Sequence, residues 1–284
     1  SEEPIATDND EARSRLAAMA DGFLLHDRPI RTRCDDSVVR VVDGDILPLR
    51  RSRGYAPFPV HLGWDSPPLL AGGAELKNAF CLAHGRYAFL SHHIGDLENF
   101  ETLQSFEDGV GHMQHLFRIE PQAFAYDLHP DYLATRYVLQ RAEADGRPAI
   151  GVQHHHAHIA AGMAEHGLEP GTRVIGVAFD GTGYGDDGAI WGGEFLIAGY
   201  EAYRRAAHLA YIPLPGGDRA VRQPWRLALA WLLRAGLGWD DDLPPAGAAG
   251  EAERRLVRQI LESDGVPGLA APQTSSMGRL FDAA

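Results

Sequence analysis

The sequence is poor in the residues that build several common kinds of site. Only two cysteines occur, Cys34 and Cys81, and neither lies in a C-x-x-C pair. That argues against a disulfide framework and against a cysteine-based zinc site. Lysine occurs once, at Lys77, against 25 arginines. Acidic residues outnumber basic ones by 39 to 26, a net charge of −13. Nucleic acid and anionic membrane surfaces reward the opposite sign, so neither is expected as a partner. No run approaches the ~18 uncharged apolar residues of a membrane span, and the acidic start Ser1-Glu2-Glu3 has no apolar stretch that would read as a signal peptide. The G-x-x-x-x-G-K-[ST] phosphate loop is absent. The expectation is a globular protein of the cytoplasm, with 45% hydrophobic and 23% charged residues.

What is present is an α/β pattern. Ala12, Leu16, Met19, Phe23 and Leu24 recur at helical spacing behind Asp8 and Asp10, which predicts one helix over the first 25 residues. Residues 37–42 and 46–49 read as strands around an Asp43-Gly44-Asp45 turn. Arg50 to Pro57 is a basic, flexible segment, and four prolines between residues 57 and 68 place a domain boundary there. Residues 69–91 read as strand, glycine turn, strand, turn, strand. Residues 96–120 and 131–145 look helical, with Asp96 a candidate cap, and 157–167 is an Ala-rich helix ending at Gly167. Val174 to Phe179 is a buried strand, Asp180 to Gly185 a glycine turn, and Ala189 to Tyr200 the returning strand. A strand, a Gly-rich turn and a return strand thus occur twice, about 105 residues apart. That suggests a two-lobed α/β fold, although such hairpins are common on their own. Residues 275–284 read as the start of a helix.

The sharpest chemical signal is Gln153-His154-His155-His156-Ala157-His158. His154 and His158, at i and i+4, project from one helix face ~5–6 Å apart, half of a site for Zn²⁺ or Fe²⁺. The alternative is that clustered histidines cap or pack a helix. The glutamate of H-E-x-x-H is missing, which disfavours a protease. Asp180, at a strand end, is placed to bind a metal or the Mg²⁺ of a nucleotide. Gly181, Thr182 and Gly183 read as an anion-binding turn, with Gly192 and Gly193 on the opposing strand lining the same pocket. Lys77, beside Gly72 and Gly73, suits phosphate as a point charge; the alternative is a solvated hairpin lysine.

Taken together, Asp27 to Ile30, Arg33 to Val38, Arg50 to Pro57, Gly73 to Phe80, Leu90 to Phe100, Val152 to His158 and Asp180 to Phe195 resemble the HypF family of carbamoyltransferases, which mature [NiFe] hydrogenases. The resemblance implies that residues 1–62 are the end of a YrdC-like nucleotide-binding domain. It implies that residues 67–284 are an incomplete universal-protein-type domain of the two-lobed ASKHA (actin-like ATPase) fold, truncated at its C-terminal side. By the same resemblance, carbamoyl phosphate and ATP yield carbamoyl-adenylate, and the carbamoyl group passes to the C-terminal cysteine of a HypE-type partner for cyanide ligand synthesis. His154, His158 and Asp180 then hold a divalent metal, zinc or iron. Ser37, Arg50, Arg51 and Arg53 are candidates for the phosphate of the activating site, where ATP or carbamoyl-adenylate binds with Mg²⁺. No residue of this chain is expected to be the nucleophile, which the partner supplies. The fragment is expected to be catalytically incomplete. A tRNA threonylcarbamoyl transferase and a partner-binding remnant are the competing readings.

Overall fold

The computed structural model describes residues 5–240, 242–263 and 271–284. It divides into two compact units, residues 1–152 with 164–169, and residues 153–163 with 170–284.

The first unit begins with α1, Asn9–Leu16, whose N-cap Asp8 accepts hydrogen bonds from the N–H groups of Asp10 and Glu11. The helix is far shorter than the 25 residues expected. It buries none of its residues, and Met19 and Leu24 lie in solvent beyond it. An apolar stripe with no surface to pack against does not extend a helix, because most helical stability comes from packing. The hairpin of β1 (Val38–Val42) and β2 (Asp45–Arg50) follows, with Asp43 and Gly44 at positive φ, as an Asp-Gly two-residue turn favours. The prolines expected to mark a linker fall instead in or beside β3, Pro59–Ala71, one continuous strand paired with β4, Cys81–Leu90. The second turn expected within residues 69–91 is likewise absent. β4 runs straight through, and a register shift opposite Ser66 absorbs Gly85.

The sheet order is β4-β3-β5-β6, with β5 at Ala123–Asp127 and β6 at Ala149–Val152 parallel to their neighbours. Helices α2 (Phe100–Phe117) and α3 (Leu133–Asp145) provide the crossovers. On α2, Thr102, Phe106, Val110 and Met113 recur at helical spacing and are buried. Phe106 meets Phe80 edge-on at 5.4 Å, among Leu70, Leu82 and Phe124. A fully buried phenylalanine contributes roughly 1.5–3 kcal/mol here. Asn99, not Asp96, caps α2. The Asp96 carboxylate is engaged elsewhere, accepting the backbone N–H of Lys77 at 2.8 Å.

The second unit holds α4, His154–Glu165, in large part, and a sheet of order β10-β11-β8-β7 with β9 on β8. Strand β7 spans Val174–Tyr184, β8 Ile190–Ala198 and β9 Tyr203–His208. Ile212–Pro213 and Gln273–Thr274 are β10 and β11. The expected glycine turn at 180–185 is strand for most of its length, and the reversal comes at 185–189. Helices α5 (Asp218–Arg222), α6 (Trp225–Arg234), α7 (Pro244–Gly247), α8 (Glu251–Glu262) and α9 (Met277–Ala283) complete the described part of this unit. α7 lies in the stretch after Pro244 that shows no pattern in the sequence.

Candidate metal centre

Gln153 sets the register of the site. Its side-chain Oε1 accepts the N–H of His156 at 2.9 Å, capping α4. Its Nε2 donates to the carbonyl of Tyr184 at 3.1 Å, at the end of β7. One buried amide therefore ties the start of the histidine helix to the strand that carries Asp180. His154 Nε2 lies 3.0 Å from Asp180 Oδ2, His158 Nε2 lies 3.5 Å from it, and the two imidazole nitrogens are 3.2 Å apart. All three side chains offer a ligand atom within 4.8 Å of the others. A tetrahedral ion with ligands at ~2.0–2.1 Å sets those atoms about 3.3 Å apart, so two imidazoles and one carboxylate fit a zinc or ferrous ion. The donors are graded in exposure, with His154 at 14%, Asp180 at 32% and His158 at 58%, so the site is open on the His158 side.

Burial works to raise the Asp180 carboxyl. Hydrogen bonds from His154, His158 and the Gly181 N–H outweigh it and hold the group well below the usual carboxylate range. Asp180 is therefore anionic and ready as a ligand at neutral pH. The other two histidines of the cluster pack. His155 is fully buried, and burial with the neighbouring His154 pushes it down to about 4, so it is neutral. His156 Nε2 meets the Gly199 carbonyl at 2.7 Å. Gly183 makes room for the cluster, because a Cβ there would lie 2.4 Å from His155 Cε1 and 3.0 Å from His154 Cδ2.

A buried polar network stands behind Asp180. Glu194 is fully buried and pairs with Arg205 at 2.6 Å. It also accepts the Ser275 hydroxyl and the N–H groups of Gly192 and Gly193. Burial raises the Glu194 carboxyl, but Arg205 and Ser275 hold it below its ordinary value. Arg205 stacks on Trp191 at 3.9 Å and meets Asp187 at 3.2 Å. The next residue, Ser276, donates to the carbonyls of Asp180 and Gly181 at 2.8 Å each.

The remaining candidates divide. Arg50 and Lys77 line one cavity of about 90 Å³ with Arg33, Asp35, His92 and His93, all in the first unit. Ser37, Arg51 and Arg53 instead tie their own segment together. Ser37 bonds the Arg53 carbonyl and the Ser52 N–H, Arg51 the carbonyls of Tyr55 and Phe58, and Arg53 the carbonyl of Cys34. Gly181, Thr182 and Gly183 are extended strand rather than an anion-binding turn. The N–H groups of Gly192 and Gly193 are directed at Glu194, so a phosphate would have to displace that carboxylate to use them.

Comparison with known proteins gives this chain relatives. Residues 65–165 match the model described as the HypF Kae1-like domain. Residues 176–284 match the carbamoyltransferase Kae1-like domain, second subdomain. Carbamoyltransferase HypF2 of Cupriavidus necator is 48% identical over 99% of this chain and 34% of its own length. Carbamoyltransferase HypF of Rhizobium leguminosarum bv. viciae is 43% identical over 99% of the chain and 35% of its own length. The chain belongs to the HypF family. A crystal structure described as full-length HypF in the phosphate- and nucleotide-bound form superposes with a TM-score of 0.90 at 41% identity, covering 100% of this chain and 36% of that one. HypF from T. kodakarensis gives 0.89 at 38% identity, covering 100% and 37%. The chain thus spans about a third of the length of these HypF proteins. The α/β architecture is that of HypF Kae1-like domains, which are of ASKHA type. The first of the two family matches begins at residue 65. Gln153, Ser275, Ser276 and Arg279 escaped the sequence reading. The one available signal was Ser-Ser-Met-Gly-Arg, two helix-capping hydroxyls before a glycine in a helix.

Proposed function

We propose that this chain carries the acyl-transfer part of a cytoplasmic HypF-type carbamoyltransferase. The donor is carbamoyl-adenylate, made from carbamoyl phosphate and ATP. The acceptor is the C-terminal cysteine of a HypE-type partner, in cyanide ligand synthesis for [NiFe] hydrogenase maturation. The convergence of His154, His158 and Asp180 in a chain related to HypF over nearly its whole length carries this reading. A divalent zinc or iron held by these residues would polarise the carbamoyl carbonyl or hold the adenylate phosphate.

The chain's own residues supply the frame for that chemistry. His154 and His158 direct Nε2 from one helix face, where each becomes a ligand on giving up its proton to the other ring nitrogen or to solvent, and Asp180 presents a carboxylate that stays ionised. Gln153 and Ser276 fix the two backbones that bear them. In the transfer, the partner's thiolate forms the C–S bond, the C–O bond to phosphate breaks, and AMP leaves with the electron pair. The thiol proton passes to solvent. Cys81 is unsuited to be the nucleophile, since burial pushes its thiol up to about 12. The net charge of −13 favours a protein acceptor over tRNA.

The test is calorimetric titration of Zn²⁺ and Fe²⁺ into the chelator-treated chain at neutral pH. A His154→Ala, His158→Ala double variant is expected to lose the binding. Unchanged affinity in that variant would place the metal elsewhere and remove the main support for the proposal.

A further inference from the structure

The segment that follows β11 is threaded onto the backbone of Asp180. Ser275 is anchored on Glu194, and Ser276 donates to the carbonyls of Asp180 and Gly181. The Ser276 hydroxyl also accepts the N–H of Arg279 at 3.1 Å and so starts α9. Two positions on, Gly278 lies flat against β7, where a Cβ would stand 2.7 Å from the Gly181 Cα. Any side chain at 278 would lift α9 off the strand. This close approach sets Arg279 directly over Gly181. Its Nη2 is 3.7 Å from the point a Gly181 Cβ would occupy, one residue from the ligand carboxylate.

Only 15% of the Arg279 side chain is exposed. Its Nε forms an ion pair with Asp282 Oδ2 at 2.8 Å, without hydrogen-bond geometry at either atom, and no hydrogen bond to a described residue engages its two terminal amino groups. A guanidinium fixed from behind by one carboxylate, with its planar fork unmatched, suits the geometry of a phosphate. Two neutral imidazoles, one carboxylate and a divalent ion leave a charge of +1 beside it, and the Asp282–Arg279 pair adds none. The locality therefore accepts an anion.

We infer that Arg279 binds the phosphate of the adenylate beside His154, His158 and Asp180, holding the leaving group while the metal ligands serve the carbonyl side. This rests on the carbamoyl-adenylate reading above and adds the residue that recognises its phosphate. As the C–O bond breaks, negative charge grows on the departing phosphate, where a fixed guanidinium is most effective.

The experiment titrates AMP, and separately inorganic phosphate, into the Zn²⁺-loaded 284-residue chain by calorimetry, with ³¹P line broadening to reach millimolar affinities. Wild type is compared with Arg279→Met and Arg279→Lys, and Zn²⁺ affinity is measured for each. The expected result is a loss of about tenfold or more in AMP affinity for Arg279→Met, with partial recovery in Arg279→Lys. Zn²⁺ binding should be unchanged, which separates a ligand contact from a folding defect. Equal AMP binding by wild type and Arg279→Met would overturn the inference and leave the carbamoyl-adenylate reading standing. Absence of AMP binding in wild type would overturn both. Arg279-dependent binding of inorganic phosphate without AMP would show a free-phosphate site and overturn the adenylate assignment.

Discussion

Replacing Gly183 by alanine tests whether the metal ligands are positioned by close packing. The added methyl would stand 2.4 Å from His155 Cε1, 3.1 Å from His155 Nδ1 and 3.0 Å from His154 Cδ2, where ordinary contact begins at 3.4 Å. His155 is fully buried, with His154 and Trp191 rings 5.3 and 6.1 Å away. Relief requires a shift of about 1 Å in a ring with little free space, and His154 is carried along. Overpacking of this kind costs roughly 1–3 kcal/mol. For a chain of this size that is a fall of about 3–10 °C in melting temperature. Metal sites tolerate ligand displacements of only about 0.2 Å, so Zn²⁺ affinity should drop roughly 10- to 100-fold. The assay pairs Zn²⁺ calorimetry with thermal unfolding. Gly162→Ala on α4, the helix that bears the two histidines, is the control, because nothing lies within 4 Å of its Cβ position, and it should bind Zn²⁺ normally. A Gly183→Ala variant with Zn²⁺ affinity within about twofold of wild type would refute the claim that this glycine holds the ligands in register.

Arg205→Met leaves the buried Glu194 carboxylate without its partner and should cost about 3–5 kcal/mol, read as a fall in melting temperature on the order of 10 °C. A melting temperature within 2 °C of wild type would disprove the network's structural weight. His92 is held below the ordinary histidine value by burial first and by His93 and His112 second. The unfolded chain therefore takes up a proton near pH ~6.5 that the folded chain declines. Stability should fall as pH drops below that value and level off below the depressed folded value. His92→Gln should flatten the urea-unfolding profile between about pH 7 and 5, and an unchanged slope would count against the assignment. Cys81, with its thiol pushed up to about 12, should resist iodoacetamide at pH 8 in the native protein and react in urea, as peptide mass spectrometry would show.

Local periodicity carried much of the architecture. Alternating and β-branched runs marked β1, β2, β7 and β8, and helical spacing marked α2 and α3. The i, i+4 pair His154 and His158 was legible because a helix sets that distance by itself. Other features depended on segments far apart in the chain. The first helix stopped at Leu16 because no surface met its apolar stripe, and Asp96 was taken from its expected cap by the Lys77 N–H, 19 residues away. The glycines of 181–185 read as a phosphate turn, yet in the structure Gly181 and Gly183 are the sparse side of a crowded strand, where α9 and His155 press against the backbone. Asp180 reaches the histidines because Gln153 ties α4 to the end of β7, and Arg279 reaches Gly181 because Ser275 and Ser276 dock a segment some 95 residues further along. Composition and spacing describe which face a residue shares with its near neighbours. Whether two backbones come close enough for a glycine to be required is set by sheet register and helix docking, which no single segment encodes.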